Sequence, residues 1–408
     1  MNAISAPARP QLGQRTSFAV AASVIGLALF ASATPSPIYA LYQERWHFST
    51  PVLTLVYAVY CFGVLAALLL VGRLSDDVGR RPVLAASLAG LIGASVLFVL
   101  AHSVGWLFAA RAVQGLTTGA ALGAAGAAML DLHPRKDGAR AGLINGVVSA
   151  GGIGVGALVA SLLVQYAPDP LVTPFVVLLV LVVATLLLTI ALPEPVVERT
   201  RPKLRPQRPH VPAETRRPFM LAGLAVLSSW SIAGLYLALG PTLISELMHT
   251  SNRLAGGAGV LALTLPAAVT QLVWHRLEPR RAAAVGSAVL AGGMALTAAS
   301  LSTGSVALFL AATVITGGGF GVAFMGALRS LTQSVPERHR AEVMSAFYVV
   351  AYLSIAVPAI AAGLAAPGLG LEPTFRIFSV AVALLALGLS VATARGSTRK
   401  AVTCVAAG

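Results

Sequence analysis

The chain has 408 residues, 57% of them hydrophobic and only 10% charged, with a formal net charge of +14. A soluble domain carries about a quarter charged residues, so lipid rather than water is the main solvent of this sequence. The basic residues sit in short connectors between apolar runs, where they read as a topology device, and nucleic acid is set aside as a partner.

The first apolar run covers residues 17–41 and follows Arg9 and Arg15. Ala31-Ser32-Ala33 has the look of a small-residue cleavage site. The run continues to about Leu41, however, and is long enough to span, so it is read as a retained helix. Pro35 and Pro37 interrupt its outer part, since each removes a backbone donor. Runs long enough to cross ~30 Å of hydrocarbon follow near 51–72, 82–101, 105–130, 142–166 and 171–192. Residues 193–217 are rich in Pro and Arg (Arg199, Arg201, Lys203, Arg205, Arg208, Arg216, Arg217) and cannot bury a core. A second six runs lie near 218–244, 255–274, 282–301, 305–329, 341–366 and 373–394, with Pro241, Pro266 and Pro358 inside the seventh, eighth and eleventh. The expectation is an all-α integral membrane protein of twelve transmembrane helices in two pseudo-symmetric six-helix bundles. The bundles occupy residues 1–192 and 218–408, and 193–217 forms a flexible, basic cytoplasmic linker.

Alternate connectors hold most of the basic residues: Arg73, Arg80 and Arg81; Arg135, Lys136 and Arg140; the linker; Arg276, Arg280 and Arg281; Arg338 and Arg340. The opposite connectors hold little beyond Arg45, Arg253 and Arg376, and both ends of the chain are basic (Arg9, Arg15; Arg395, Arg399, Lys400). This pattern places both termini in the cytoplasm. Cys61 and Cys404 fall in different compartments and have no His or Cys at metal spacing, so neither disulfide nor metal is expected. The halves also repeat: at a shift of 202, Gly115 falls on Gly317, Gly119 on Gly321 and Pro134 on Pro336. Arg276-Leu277 and Arg280-Arg281 echo Arg73-Leu74 and Arg80-Arg81 without the acid or the glycines. A duplicated six-helix unit would put a substrate site at the interface between halves.

The most informative stretch is Gly72-Arg73-Leu74-Ser75-Asp76-Asp77-Val78-Gly79-Arg80-Arg81-Pro82. Its spacing G-x-L-x-D-x-x-G-R-R resembles the signature loop between helices two and three of the major facilitator superfamily of secondary transporters, with Asp77 departing from the family's basic residue. Arg111-Ala112-Val113-Gln114-Gly115 resembles that family's R-x-x-Q-G motif. The resemblance implies the fold of that superfamily and no cofactor. It makes Gly72, Asp76, Gly79, Arg80 and Arg81 a conformational latch meeting the start of span eleven near Ala341 to Met344, with Asp131 as a partner of Arg80 or Arg81. It also implies that Arg111, beside Gln114, tunes proton or substrate binding. The alternative for Arg111 is an outer-end anchor bonded to backbone carbonyls. In the fifth span Gly142, Gly146, Gly151, Gly152, Gly154 and Gly156 resemble the glycine-rich motif of proton-linked exporters. Gly154 is followed by Val155 rather than Pro, and close helix packing is the favoured reading.

Candidate cavity residues are Ser32, Tyr39, Tyr57, Tyr60, Asn145, Ser149, Trp230, Tyr236, Gln271, Tyr348 and Tyr352, against the alternative of interfacial belts for the aromatics. The acidic residues lie at span ends or in loops, Asp131, Glu246 and Glu372 among them. A buried carboxylate for proton exchange is therefore not expected, although H+ remains the candidate coupling ion. The expected function is a secondary carrier in the plasma (inner) membrane, acting as a monomer on a small, amphipathic organic solute by alternating access, with efflux preferred. Uptake or facilitated movement of a sugar or organic acid is the alternative within the class. A non-transporting receptor or scaffold is the alternative outside it. Enzyme motifs such as H-E-x-x-H do not occur.

Overall fold

The computed structural model describes residues 12–72, 74–196 and 206–405, with Glu337 and residues 395–405 described by backbone alone. Arg9, Arg73, Arg199, Arg201, Lys203 and Arg205, which carry part of the charge pattern, lie outside the described residues. So do the side chains of Arg395, Arg399, Lys400 and Cys404.

Twelve helices are long and apolar enough to span, and no strand occurs among the described residues. In the first half they are α1 (Gln14–Ala33), α2 (Thr50–Leu70), α3 (Arg80–Val99), α4 (Val104–Asp131), α5 (Gly138–Tyr166) and α6 (Thr173–Ile190). In the second half they are α7 (Arg216–Ala238), α8 (Leu254–Trp274), α9 (Pro279–Thr303), α10 (Val306–Ser334), α11 (Arg340–Leu369) and α12 (Leu371–Val405). All twelve apolar runs of the sequence become helices.

The first helix of each half breaks near one end. After α1 the chain makes a 3-10 turn at Ser36–Ile38 and restarts as the eight-residue helix Tyr39–Trp46. After α7 it restarts as the eight-residue helix Gly240–Leu247. The sequence reading put Pro241 inside the seventh span. It instead sits in the first turn of the new helix, where a missing N–H costs nothing. The two breaks touch, because Ser36 Oγ donates to the Leu237 carbonyl.

The 202-residue repeat is visible in the packing. Gly115 and Gly119 of α4 lie against the Tyr60 and Val64 carbonyls of α2. Gly317 and Gly321 of α10 lie against the Leu263 and Ala267 carbonyls of α8. A Cβ at any of the four would drive into backbone, so these crossings require glycine. Within the first half α1 packs on α4 and α5, α2 on α4, and α3 on α4 and α6. Within the second, α7 packs on α10 and α11, α8 on α10, and α9 on α10 and α12. The halves meet along α5–α8 and α2–α11. Of the α5 glycines, Gly152 and Gly156 admit the α1 backbone, while Gly154 faces Thr264 of α8, which supports the packing reading. Helices α6 and α12 lie outermost, with Leu187 and Leu384 each 65% exposed, as expected for lipid-facing residues.

Two ends of the bundle matter below. The loop face carries the charged loop at 72–82 and the interhalf segment. The opposite face carries the short helices Tyr39–Trp46 and Gly240–Leu247.

Candidate functional site

Arg111 of α4 is the largest fully buried side chain, with 0% of its surface exposed. Its Nε donates to the Tyr39 hydroxyl at 2.6 Å, and its Nη1 donates to the Ser32 carbonyl at 2.9 Å and to Gln114 Oε1 at 2.6 Å. Gln114 Nε2 completes the group by donating to the Ala31 carbonyl at 2.8 Å. The rings of Tyr39, Tyr57 and Tyr60 surround the guanidinium, 5.1–5.8 Å from its carbon to their centroids. Nη2 has no hydrogen-bond partner. Among the described residues no carboxylate pairs with Arg111.

An uncompensated ion in such a place would cost several kcal/mol. The dipoles of a carbonyl, a carboxamide and a hydroxyl offset that cost, at about 1.5–3 kcal/mol per charge-assisted bond. Each aromatic face adds up to ~2 kcal/mol when desolvated. The arrangement leaves one donor of a buried cation free for another acceptor. It also uses the break after α1: free carbonyls at its last turn meet Arg111 and Gln114, and Tyr39 returns just beyond it.

The second half repeats the geometry without the charge. Thr313 of α10 stands 202 residues after Arg111, and its hydroxyl is 2.9 Å from that of Tyr236 on α7. Tyr236 packs against Phe309 and Phe375 inside the second half. Trp230 packs tilted against Phe324 and edge-to-face with Tyr352, at 5.3 and 5.6 Å between ring centroids, with its indole N–H buried and unbonded. Tyr352 belongs to the same buried cluster as Tyr39, Tyr57 and Tyr60. Along the α5–α8 seam, Gln271 lies against Gly146 and Asn145 accepts from Ser149 at 3.2 Å. Tyr348 is 36% exposed. The structure thus gathers Ser32, Tyr39, Tyr57, Tyr60, Arg111 and Gln114 into one cluster. It sets Trp230 with Tyr352 on the other half, places Asn145 and Gln271 at the seam, and leaves Tyr236 and Tyr348 apart.

At the loop face Arg80 is the hub. Its Nη1 bonds Asp76 and, at 2.7 Å, Ser75 Oγ, and its Nε pairs with Asp131 of α4 at 3.0 Å. Asp131 is therefore the partner of Arg80, while Arg81 Nη1 reaches the Leu192 carbonyl at 3.4 Å. Asp76 differs from expectation. Its side chain is 55% exposed and turned to Arg80, four residues on across the bend at Gly79, not toward α11. Gln207 bridges the halves there instead: its backbone N–H donates to the Leu69 carbonyl at 2.8 Å, and its Oε1 accepts from Ser345 Oγ of α11. Its Nε2 lies 2.8 Å from where a Cβ on Gly72 would stand, so Gly72 leaves the room it occupies.

Glu194 was also missed by sequence reasoning. Its carboxylate accepts from the Arg80 and Arg81 N–H groups, at 2.8 and 3.1 Å, and so caps α3. Gly79 has φ +114° and a hypothetical Cβ 2.6 Å from Glu194 Oε2. The second half solves the same problem locally, with Glu278 accepting from the Arg280 and Arg281 N–H groups to cap α9. The signal was there in each case, a carboxylate able to meet an Arg-Arg helix start.

At the opposite face Arg253 Nη2 pairs with Glu44 across the halves at 2.6 Å, and the Arg253 N–H donates to Gln165 Oε1 of α5 at 2.8 Å. An open vestibule of about 580 Å³ adjoins this pair, lined by Glu44, Glu246, His249 and Arg253 among others. Partial burial pushes the Glu246 carboxyl above its usual range. Arg253 and Glu246 stand out in the sequence as charges at charge-poor positions, whereas Glu44 is found only through its pairing with Arg253.

The sequence profile of the Major Facilitator Superfamily matches residues 21–359. Over 121 residues the chain is 36% identical to the triacylglyceride transporter of Mycobacterium tuberculosis, a stretch covering 29% of this chain and 21% of that protein. Over 114 residues it is 39% identical to the puromycin resistance protein pur8 of Streptomyces alboniger, covering 27% and 22%. The matched stretch spans about a fifth of the length of these curated relatives. The crystal structure of the human organic anion transporter MFSD10 (TETRAN) matches with a TM-score of 0.67 at 17% identity, covering 93% of this chain and 100% of that one. That likeness is one of fold.

Proposed function

The chain belongs to the Major Facilitator Superfamily of transporters, and from that premise we propose that it exports a small amphipathic organic solute by alternating access of its two halves. The observation that carries this reading is the buried Arg111 within a cage of Tyr39, Tyr57 and Tyr60, one of its donors unused. Aromatic walls suit an apolar body, and the guanidinium offers one polar anchor. Trp230 and Tyr352 supply an aromatic surface from the other half. The names of the relatives, a triacylglyceride transporter and a puromycin resistance protein, support amphipathic cargo and outward movement.

In this reading the basic loop face lies in the cytoplasm of a cell whose plasma membrane holds the protein, with both termini inside. Arg80, Asp76 and Asp131 order the loop, Glu194 and Gln207 strap the interhalf segment to it, and Glu44–Arg253 with Ser36–Leu237 close the outer face. Opening one face while the other closes carries the solute across.

The test is flux in proteoliposomes loaded with a panel of amphipathic dyes, drugs and lipids, with and without an imposed pH gradient. The reading expects movement of a panel member by the wild type and its loss in Arg111→Gln. Acceleration by the gradient would identify H+ as the coupling ion. Equal flux in Arg111→Gln and wild type would remove Arg111 from the cargo path.

A further inference from the structure

Residues 31–44 are held at two places by different partners. Around the break after α1, α4 grips the segment through the Ala31 and Ser32 carbonyls and the Tyr39 hydroxyl. The same segment carries two bonds to the second half, Ser36 Oγ to the Leu237 carbonyl and Glu44 to Arg253. Tyr39 is the first residue of the short helix that ends at Trp46, and its hydroxyl accepts the bond that Arg111 makes beyond the break. The guanidinium is planar, with Nε on Tyr39, Nη1 on Ser32 and Gln114, and Nη2 free. The Nε bond to Tyr39 is the one whose partner lies beyond the break, on the short helix, so an acceptor that engages Nη2 and turns the plane strains that bond.

We propose that Tyr39 is a positioning residue that links the buried Arg111 to closure of the opposite face. With Arg111 bonded to Tyr39, the short helix is held in register with the second half and Ser36 and Glu44 keep their partners. When a polar group of the cargo engages Nη2, the Tyr39 bond loosens, the short helix is freed from α4, and the face opens. The inference rests on Arg111 lying in the cargo path, but its test needs no cargo, so the two fail separately. Contact alone does not establish coupling of this kind; a two-state element biased from both ends does.

Spin labels on Arg45→Cys and Ser251→Cys, both exposed positions flanking the Glu44–Arg253 pair, report that face by pulsed EPR in nanodiscs, with Cys61→Ala and Cys404→Ala as background. Tyr39→Phe keeps the ring and its contact with Arg111 and removes only the hydroxyl. It should raise the ratio of long to short distances roughly tenfold. Arg111→Lys, whose compact ammonium lacks the planar fork that reaches Tyr39 together with Ser32 and Gln114, should do the same. The double variant should go no further than the larger single one, because both break one link. Ser36→Ala removes one of the two bonds that Tyr39 keeps in place, so its shift and that of Tyr39→Phe should combine to less than their sum. An unchanged distribution in Tyr39→Phe beside a shifted one in Ser36→Ala overturns the proposal. So does full additivity of Tyr39→Phe and Arg111→Lys. Monodisperse elution of each variant on size exclusion separates a shifted equilibrium from misfolding, and Tyr39→Phe misfolding beside a well-folded Arg111→Lys that leaves the distribution unchanged also counts against it.

Discussion

Arg111 of α4 and Thr313 of α10 occupy one repeat position, 202 residues apart, and each is bonded to a tyrosine from the broken first helix of its own half. The pairing Tyr39–Arg111 carries a charge and Tyr236–Thr313 does not, so the halves share a scaffold but not a chemistry. Thr313→Val removes the bond to Tyr236 and the bond to the Phe309 carbonyl, so it should cost about 1–3 kcal/mol, and leave flux near wild type. Arg111→Gln should abolish flux while the protein still inserts. Thermal unfolding in detergent and proteoliposome flux on the same preparations check both.

Gly79 holds a backbone angle that other residues avoid, with the Glu194 carboxylate where a side chain would begin. Gly79→Ala should lower stability by about 1–3 kcal/mol. Glu194→Ala should lower it by about 0.5–2 kcal/mol through loss of the α3 cap. The double variant should cost less than the sum, since both disturb the same contact. Unfolding midpoints of the three variants decide this.

Gln207, rather than Asp76, spans the halves at the loop face. Gln207→Ala should therefore raise the reactivity of Met344→Cys, the half-buried neighbour of Ser345, toward a membrane-impermeant thiol reagent added on the loop-face side. Asp76→Asn should disorder Arg80 and reduce flux, with protein level and insertion intact, yet leave that labelling rate little changed. Equal labelling in Gln207→Ala and its parent would remove the bridge from the account.

Asp137 caps α5 by accepting from the Ala139 and Arg140 N–H groups. The Arg140 N–H above all holds its carboxyl below the ordinary value of 3.8. A carboxyl lowered on folding stabilises the fold at pH above its unfolded value, about 3.9, and that contribution is lost as pH falls through the folded value. The gap in unfolding temperature between wild type and Asp137→Ala should thus stay constant from about pH 8 to 5 and shrink below about pH 4. A gap that persists in acid would contradict the assignment.

The architecture was legible because lipid imposes it: twelve apolar runs have no other way to satisfy their backbones. The break after α1 was legible in Pro35 and Pro37. The matching break after α7 was misplaced because Pro241 both ends one helix and starts another. Arg111 and Gln114 stand out through the R-x-x-Q-G spacing, and Asp131 through its place at the end of the fourth span on the same side as Arg80. Tyr39, Tyr57 and Tyr60 could be named as aromatics, but only tertiary structure brings them around one guanidinium. Glu194 and Gln207 escaped notice because the interhalf segment has the composition of a plain connector, and a single carboxylate or carboxamide leaves no periodic trace. The turn of Asp76 toward Arg80 goes with the sharp bend at Gly79, which sets the first residue of α3 beside the Leu74–Val78 helix, a local pairing that competes with the more distant start of α11.

The central claim is that the two faces open in alternation around Arg111. Single-molecule energy transfer in nanodiscs, from a dye pair across Arg45 and Ser251 in one preparation and across Arg135 and Arg276, exposed at the loop face of either half, in another, tests it most directly. The account predicts two interconverting states at each face. Tyr39→Phe should lengthen the first pair and shorten the second in the same proportion of molecules. One fixed distance at both faces, or both faces widening together, would contradict it.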